Sequence, residues 1–135
     1  MPSSRSRRLP GTQPAPEEGD AVRADDEVTT DATVGLPASA RVLFAVVTAN
    51  GTLIRGLGVA AASRLATGMY QVTFDQDVSA AGYVGTLGLA GSAGVAPAGQ
   101  IAVAGRTGIP NGVFVETFAS DGTAADRPFH LTVLA

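Results

Sequence analysis

Few residues in this chain have the types and spacing that chemistry requires, and each group has a structural reading beside its chemical one. Gly56, Gly58 and Ala61 spell G-x-G-x-x-A within TLIRGLGVAA, and Asp75 follows at the end of an apolar run. A dinucleotide fold places its phosphate-binding turn and its ribose-binding acid in that order. The run before Gly56 is only four residues long, however, and it ends in Arg55. A helix placed before Gly68 would be too short for a parallel crossover. A Gly-broken turn between two antiparallel strands is therefore the expectation, and a nucleotide-binding domain is the lesser alternative.

His130 is the only histidine. With Ser120 and Asp126 it would make a hydrolytic relay, but no nucleophile elbow surrounds Ser120. A lone imidazole also needs carboxylates to complete a zinc site, and only Asp126 lies near it in sequence. A strand-borne His, hydrogen-bonded to a neighbour at a surface or subunit contact, is expected instead. Asp75 and Asp77 flank Gln76; at i and i+2 on a strand they would share a face, as a calcium or glycosidase pair needs. Without further oxygen ligands they are expected only to solubilise a strand end. Glu116 alternates with Phe114 and Phe118 and calls for solvent or a basic partner, Arg106 or Arg127. No catalytic, cofactor-binding or metal-ligating set is assembled, binding residues stay unassigned, and a non-enzyme is expected.

The elements that position these residues are short strands. Residues 41–49 (RVLFAVVTA) are apolar on both faces, as in a strand covered on both sides. Asn50-Gly51 is a hairpin signal, with 52–55 returning. Segments 59–65, 69–75, 81–90 and 100–106 follow, the third weakened by glycine. The closing stretch GVFVETFASDGTAADRPFHLTVL holds two runs of period two, 113–118 and 129–134, around Asp121-Gly122. They are expected to form an antiparallel pair anchoring the domain. Seven or eight short strands predict an all-β fold, an antiparallel β-sandwich of jelly-roll type over residues 36–135.

Residues 1–35 are different. Arg5, Arg7 and Arg8 precede seven acids between Glu17 and Asp31, with almost nothing apolar to bury. A disordered N-terminal arm is expected, acting as a linker or as a docking peptide. Neither a secretory signal nor a membrane-spanning run is visible. With no cysteine the compartment stays open, the cytoplasm or a released particle alike. A net charge of −3 argues against nucleic acid as a partner.

The strings Gly58-Val59 and Ser63-Arg64-Leu65, Thr67-Gly68-Met69-Tyr70-Gln71-Val72-Thr73-Phe74, Asp77-Val78-Ser79, Tyr83-Val84, Pro110-Asn111-Gly112-Val113 and Ala125-Asp126-Arg127-Pro128-Phe129-His130-Leu131 carry a resemblance. Over residues 41–135 the chain resembles an uncharacterised small bacterial β domain. That domain is similar to the C-terminal head domains of phage tail fibres and collagen-like proteins. The resemblance implies a trimeric β-sandwich and attaches no ligand or catalytic residue. Composition points the same way. Aromatics are 5% of the chain and charged residues 16%, so a core of small side chains gains by burying more surface against copies of itself. A self-associating structural or interaction module, a homotrimer, is expected. A glycan- or surface-binding module of adhesin type, using loops 91–99 and 107–112, is the alternative.

Overall fold

The computed structural model describes residues 13–17, 36–37 and 40–135. The arm expected over residues 1–35 lies outside the described residues, except for 13–17, which rest against the domain. Eight strands follow in order: β1 (Val42–Val47), β2 (Leu53–Leu57), β3 (Val59–Ala66), β4 (Met69–Phe74), β5 (Gly82–Leu87), β6 (Gly99–Gly105), β7 (Gly112–Ala119) and β8 (Phe129–Leu134). They form two four-stranded sheets, ordered β2-β1-β8-β5 and β3-β4-β7-β6. Every pairing is antiparallel. The fold is an all-β sandwich of the kind the strand count predicts.

Apolar patterning decides which strands are central. The strands that supply the fully buried core side chains (β1, β4, β7 and β8) take the middle of the sheets, where both edges are paired. The partly exposed strands β2, β3, β5 and β6 take the edges. Alternate residues point inward, Leu43, Ala45 and Val47 from β1 and Phe129, Leu131 and Val133 from β8. They meet Tyr70, Val72 and Phe74 from β4 and Val113 and Val115 from β7. Each large side chain so buried contributes roughly 1.5–3 kcal/mol. The Tyr70 and Phe129 rings meet edge-on across the layers, with centroids 5.0 Å apart.

Two expectations about local connection are corrected. The runs 113–118 and 129–134 are strands, but they do not pair with each other. β7 lies between β4 and β6, and β8 lies between β1 and β5 in the opposite sheet. The Asp121-Gly122 turn closes only a short flap, with Ala119 N–H donating to the Thr123 carbonyl at 2.8 Å and one bridge between Phe118 and Ala124. The chain then crosses over. Stacking the two apolar strands face to face buries their inner sides against one another, which side-by-side pairing in one sheet would not do.

The second correction concerns Gly58. It is the corner where the chain leaves one sheet for the other, because β2 pairs with β1 and β3 with β4. The expected Gly-broken turn between two strands is there, but the strands it joins do not pair with each other. Gly58 has φ +69°, and a β-carbon there would stand 2.6 Å from Leu43 Cδ2. The segment that could have been a nucleotide-fold helix is the extended strand β3. Asn50-Gly51 does form the β1–β2 hairpin, with φ +91° at Gly51 alone. At the far end, Ala135 N–H donates to the Arg41 carbonyl at 3.0 Å.

The G-x-G-x-x-A string is thus a device of chain direction. Gly58→Ala is expected to cost about 1–3 kcal/mol, from the left-handed φ and the collision with Leu43. Thermal unfolding should show this as a drop of roughly 4–8 °C per kcal/mol. An unchanged melting temperature would overturn the corner assignment.

Candidate functional site

The residues that suggested chemistry are held apart. Asp126 Oδ1 accepts the Gly68 N–H at 2.7 Å, and its Oδ2 is paired with Arg64 Nε at 2.9 Å. Partial burial pushes the Asp126 carboxyl up, but the Gly68 N–H and Arg64 outweigh it and hold the group below the ordinary carboxylate range. His130 Nε2 lies 2.8 Å from the Leu89 carbonyl oxygen, on the outer side of the other sheet. Asp126 therefore clamps the β3–β4 turn to the chain crossing towards β8, and His130 pins the segment after β5. The relay with Ser120 does not form. Tyr70 joins the clamp, its hydroxyl donating to the Ala49 carbonyl at 2.6 Å and accepting the Arg127 N–H at 3.2 Å.

Asp75 and Asp77 do not share a face, because β4 stops at Phe74 and the chain bends there. Asp77 is exposed, and its Oδ1 accepts from the Ser79 N–H at 2.8 Å and Ser79 Oγ at 2.6 Å. Those bonds draw its carboxyl below the usual value. Asp75 is only 8% exposed, and neither carboxylate oxygen has a hydrogen-bond partner. Burial pushes its carboxyl up, with the Arg41 charge acting in the other direction. Among the described residues no group of three His, Asp or Glu side chains gathers as a metal site.

Loops 91–99 and 107–112 were expected to share a shallow site. They lie at opposite ends of β6, about 20 Å of strand apart. The first borders an open cleft of about 460 Å³, lined by Thr86, Leu87, Val95, Pro97 and Ile101 among others. Thr86 is the only side chain in that lining with a hydrogen-bonding group. The second turns inward: Asn111 Nδ2 donates to the Phe74 carbonyl at 2.9 Å, and Ile109 is buried.

The outer face of the β2-β1-β8-β5 sheet is what the fold presents instead. Register sets Val42 opposite Leu134, and Phe44 opposite Thr132, which in turn faces Val84. Leu57 flanks Phe44 on the other side. Val42, Val84 and Leu134 are 54%, 57% and 50% exposed. The run 41–49 is apolar on both sides, but the cover expected over its outer side does not reach Val42, which is open to solvent. The sheet-wide stripe could have been found only with the β1–β8–β5 register in hand.

The opposite outer face carries polar groups. Arg106, only 4% exposed, donates from Nε to Gln71 Oε1 at 2.6 Å and from Nη1 to the Pro14 carbonyl at 2.6 Å. Arg127 donates from Nε to the Ala98 carbonyl at 3.1 Å. Comparison with models of known families, with curated proteins and with solved structures finds no match.

Asp75 supplies a pH test. Its raised native value means that ionisation opposes folding, and the penalty is complete above that value. Asp75→Asn should therefore stabilise the fold at pH 7 by about 1–3 kcal/mol, the cost of an unmet buried charge, read as a raised melting temperature. The advantage should shrink as pH falls through the raised value and vanish below the ordinary carboxylate range. A constant difference from pH 3 to pH 8 would contradict it.

Proposed function

We propose that the chain is a non-enzymatic, self-associating structural or interaction module, a homotrimer whose subunits meet through the outer face of the β2-β1-β8-β5 sheet. The observation that carries this is the stripe of Val42, Phe44, Leu57, Val84 and Leu134 on that face. Contiguous apolar surface of this kind is costly to leave in water and marks contact sites. Residues 36–135 also hold five acids (Asp75, Asp77, Glu116, Asp121, Asp126) and five arginines (Arg41, Arg55, Arg64, Arg106, Arg127). A domain with no net charge has no long-range repulsion between copies.

The trimeric number rests on the resemblance to fibre-head domains. A glycan- or surface-binding adhesin-type module has less behind it, since the two loops it relied on stand far apart and the cleft beside one offers a single polar side chain, Thr86.

Light scattering after size exclusion at micromolar concentration should return about three times the 13.5 kDa of one chain. Val84→Glu places a charge at the β5 end of the stripe, on its most exposed residue, and should reduce that mass to a monomer, with the far-UV spectrum unchanged. A wild-type monomer would sink the proposal.

A further inference from the structure

Residues 13–17, from the acid-rich part of the sequence, sit at the end of the β6 edge and are held there by the backbone of Gly105 and Thr107 and the side chain of Arg106, some ninety positions away. Gln13 Oε1 accepts the Thr107 N–H at 2.7 Å and Arg106 Nη1 at 3.2 Å. Gln13 Nε2 donates to the Gly105 carbonyl at 2.7 Å. A side-chain carboxamide offers the same donor and acceptor as a peptide unit. Here it takes up the carbonyl and N–H groups that flank Arg106 on the open side of an edge strand, which is how an added strand would bind. The Arg106 N–H itself points the other way, to the Gly112 carbonyl at 3.0 Å.

The segment is made for an extended seat. Gln13 and Ala15 each precede a proline, which keeps them out of the helical region. Pro14 and Pro16 fix φ and carry no N–H that would need a partner, so little entropy is lost on docking. Arg106, already oriented by Gln71 Oε1, grips the Pro14 carbonyl. Pro16 lies over Gly108, its Cγ 3.2 Å from where a β-carbon on that residue would stand. A cleft of about 280 Å³, lined by Pro14, Ala15, Glu17, Arg64, Leu65 and Arg106 among others, continues beside it.

We propose that Gly105, Arg106 and Thr107, with Gln71 behind them, form a peptide-recognition site for an extended Gln-Pro-x-Pro segment, and that residues 13–16 of the same chain are its built-in occupant. Gln is read by the Gly105 carbonyl and Thr107 N–H together, and the first proline by its carbonyl on Arg106. Glycine at position 108 leaves room for the second proline. The site is separate from the apolar stripe, which lies on the other sheet.

The test follows the Thr107 amide proton by hydrogen exchange in the isotope-labelled full chain. Gln13→Ala should speed exchange at Thr107 by on the order of ten-fold, the worth of a lost hydrogen bond or two, with the amides of β4 and β8 unchanged. Adding the blocked peptide Gln-Pro-Ala-Pro-Glu at millimolar concentration, to replace the tether's effective concentration, should slow it again in the Gln13→Ala chain. A peptide with Ala in place of Gln should not. Equal exchange in wild type and Gln13→Ala overturns the occupancy. Equal effects of the two peptides overturn the recognition of Gln. Since the readout is local to Thr107, neither outcome depends on whether the chain self-associates.

Discussion

The sandwich depends on one side chain that belongs to both of its layers. Tyr70 rises from the central strand β4, lays its ring edge-on against Phe129 of the central strand β8, and spends its hydroxyl on the Ala49 carbonyl and the Arg127 N–H. The rest of the core is mostly valine and leucine, with Ala45 and Phe74, side chains that hold by close packing and carry no directional bond. An aromatic pair adds about 0.5–1.5 kcal/mol beyond its buried area, and the two hydrogen bonds give it direction. Burial pushes the Tyr70 phenol up, with Asp126 adding to the rise, so the hydroxyl keeps its proton and its donor role. Asp126, Gly68 and Arg64 then extend this fastening to the β3–β4 turn.

With the layers fixed, the two outer faces diverge. One is an apolar stripe across β1, β5 and β8, ordered by register and left bare. The other carries Gln71, Thr73 and Phe114 in buried positions, beside the buried guanidinium of Arg106 and the proline-bearing segment it holds. A single domain thus separates an unspecific, area-driven surface from one read by individual donors and acceptors. Under the proposals above, the first serves contact with like copies and the second recognition of a defined stretch of chain.

Much of this architecture was legible from residues alone, because period-two alternation and turn chemistry are local. All eight strands lie where apolar runs and Gly-bearing turns put them, within a few residues at the ends. Partnership was less legible. The 113–118 and 129–134 runs look like a hairpin because a good turn lies between them, yet pairing is settled by which faces must be buried across the layers. Asp75 looked like a surface acid beside Asp77, and the bend after Phe74 sent the two into different surroundings. The Arg106 seat had only a faint signal, two X-Pro steps in an acid-rich stretch, and nothing local to Gln13 reveals a partner near position 106.

The bond between the Ala135 amide and the Arg41 carbonyl brings the first and last residues of the sandwich side by side at one corner of a sheet. Topologically the domain is almost a closed ring. A short link from 135 to 41 would complete it, and new ends could then be opened in an exposed loop such as 91–95 without unpairing a central strand. Any cargo fused after Ala135 would also issue from that corner, beside Val42 and Leu134. In an assembly built on the apolar stripe, such passengers would be gathered close to the junction between subunits.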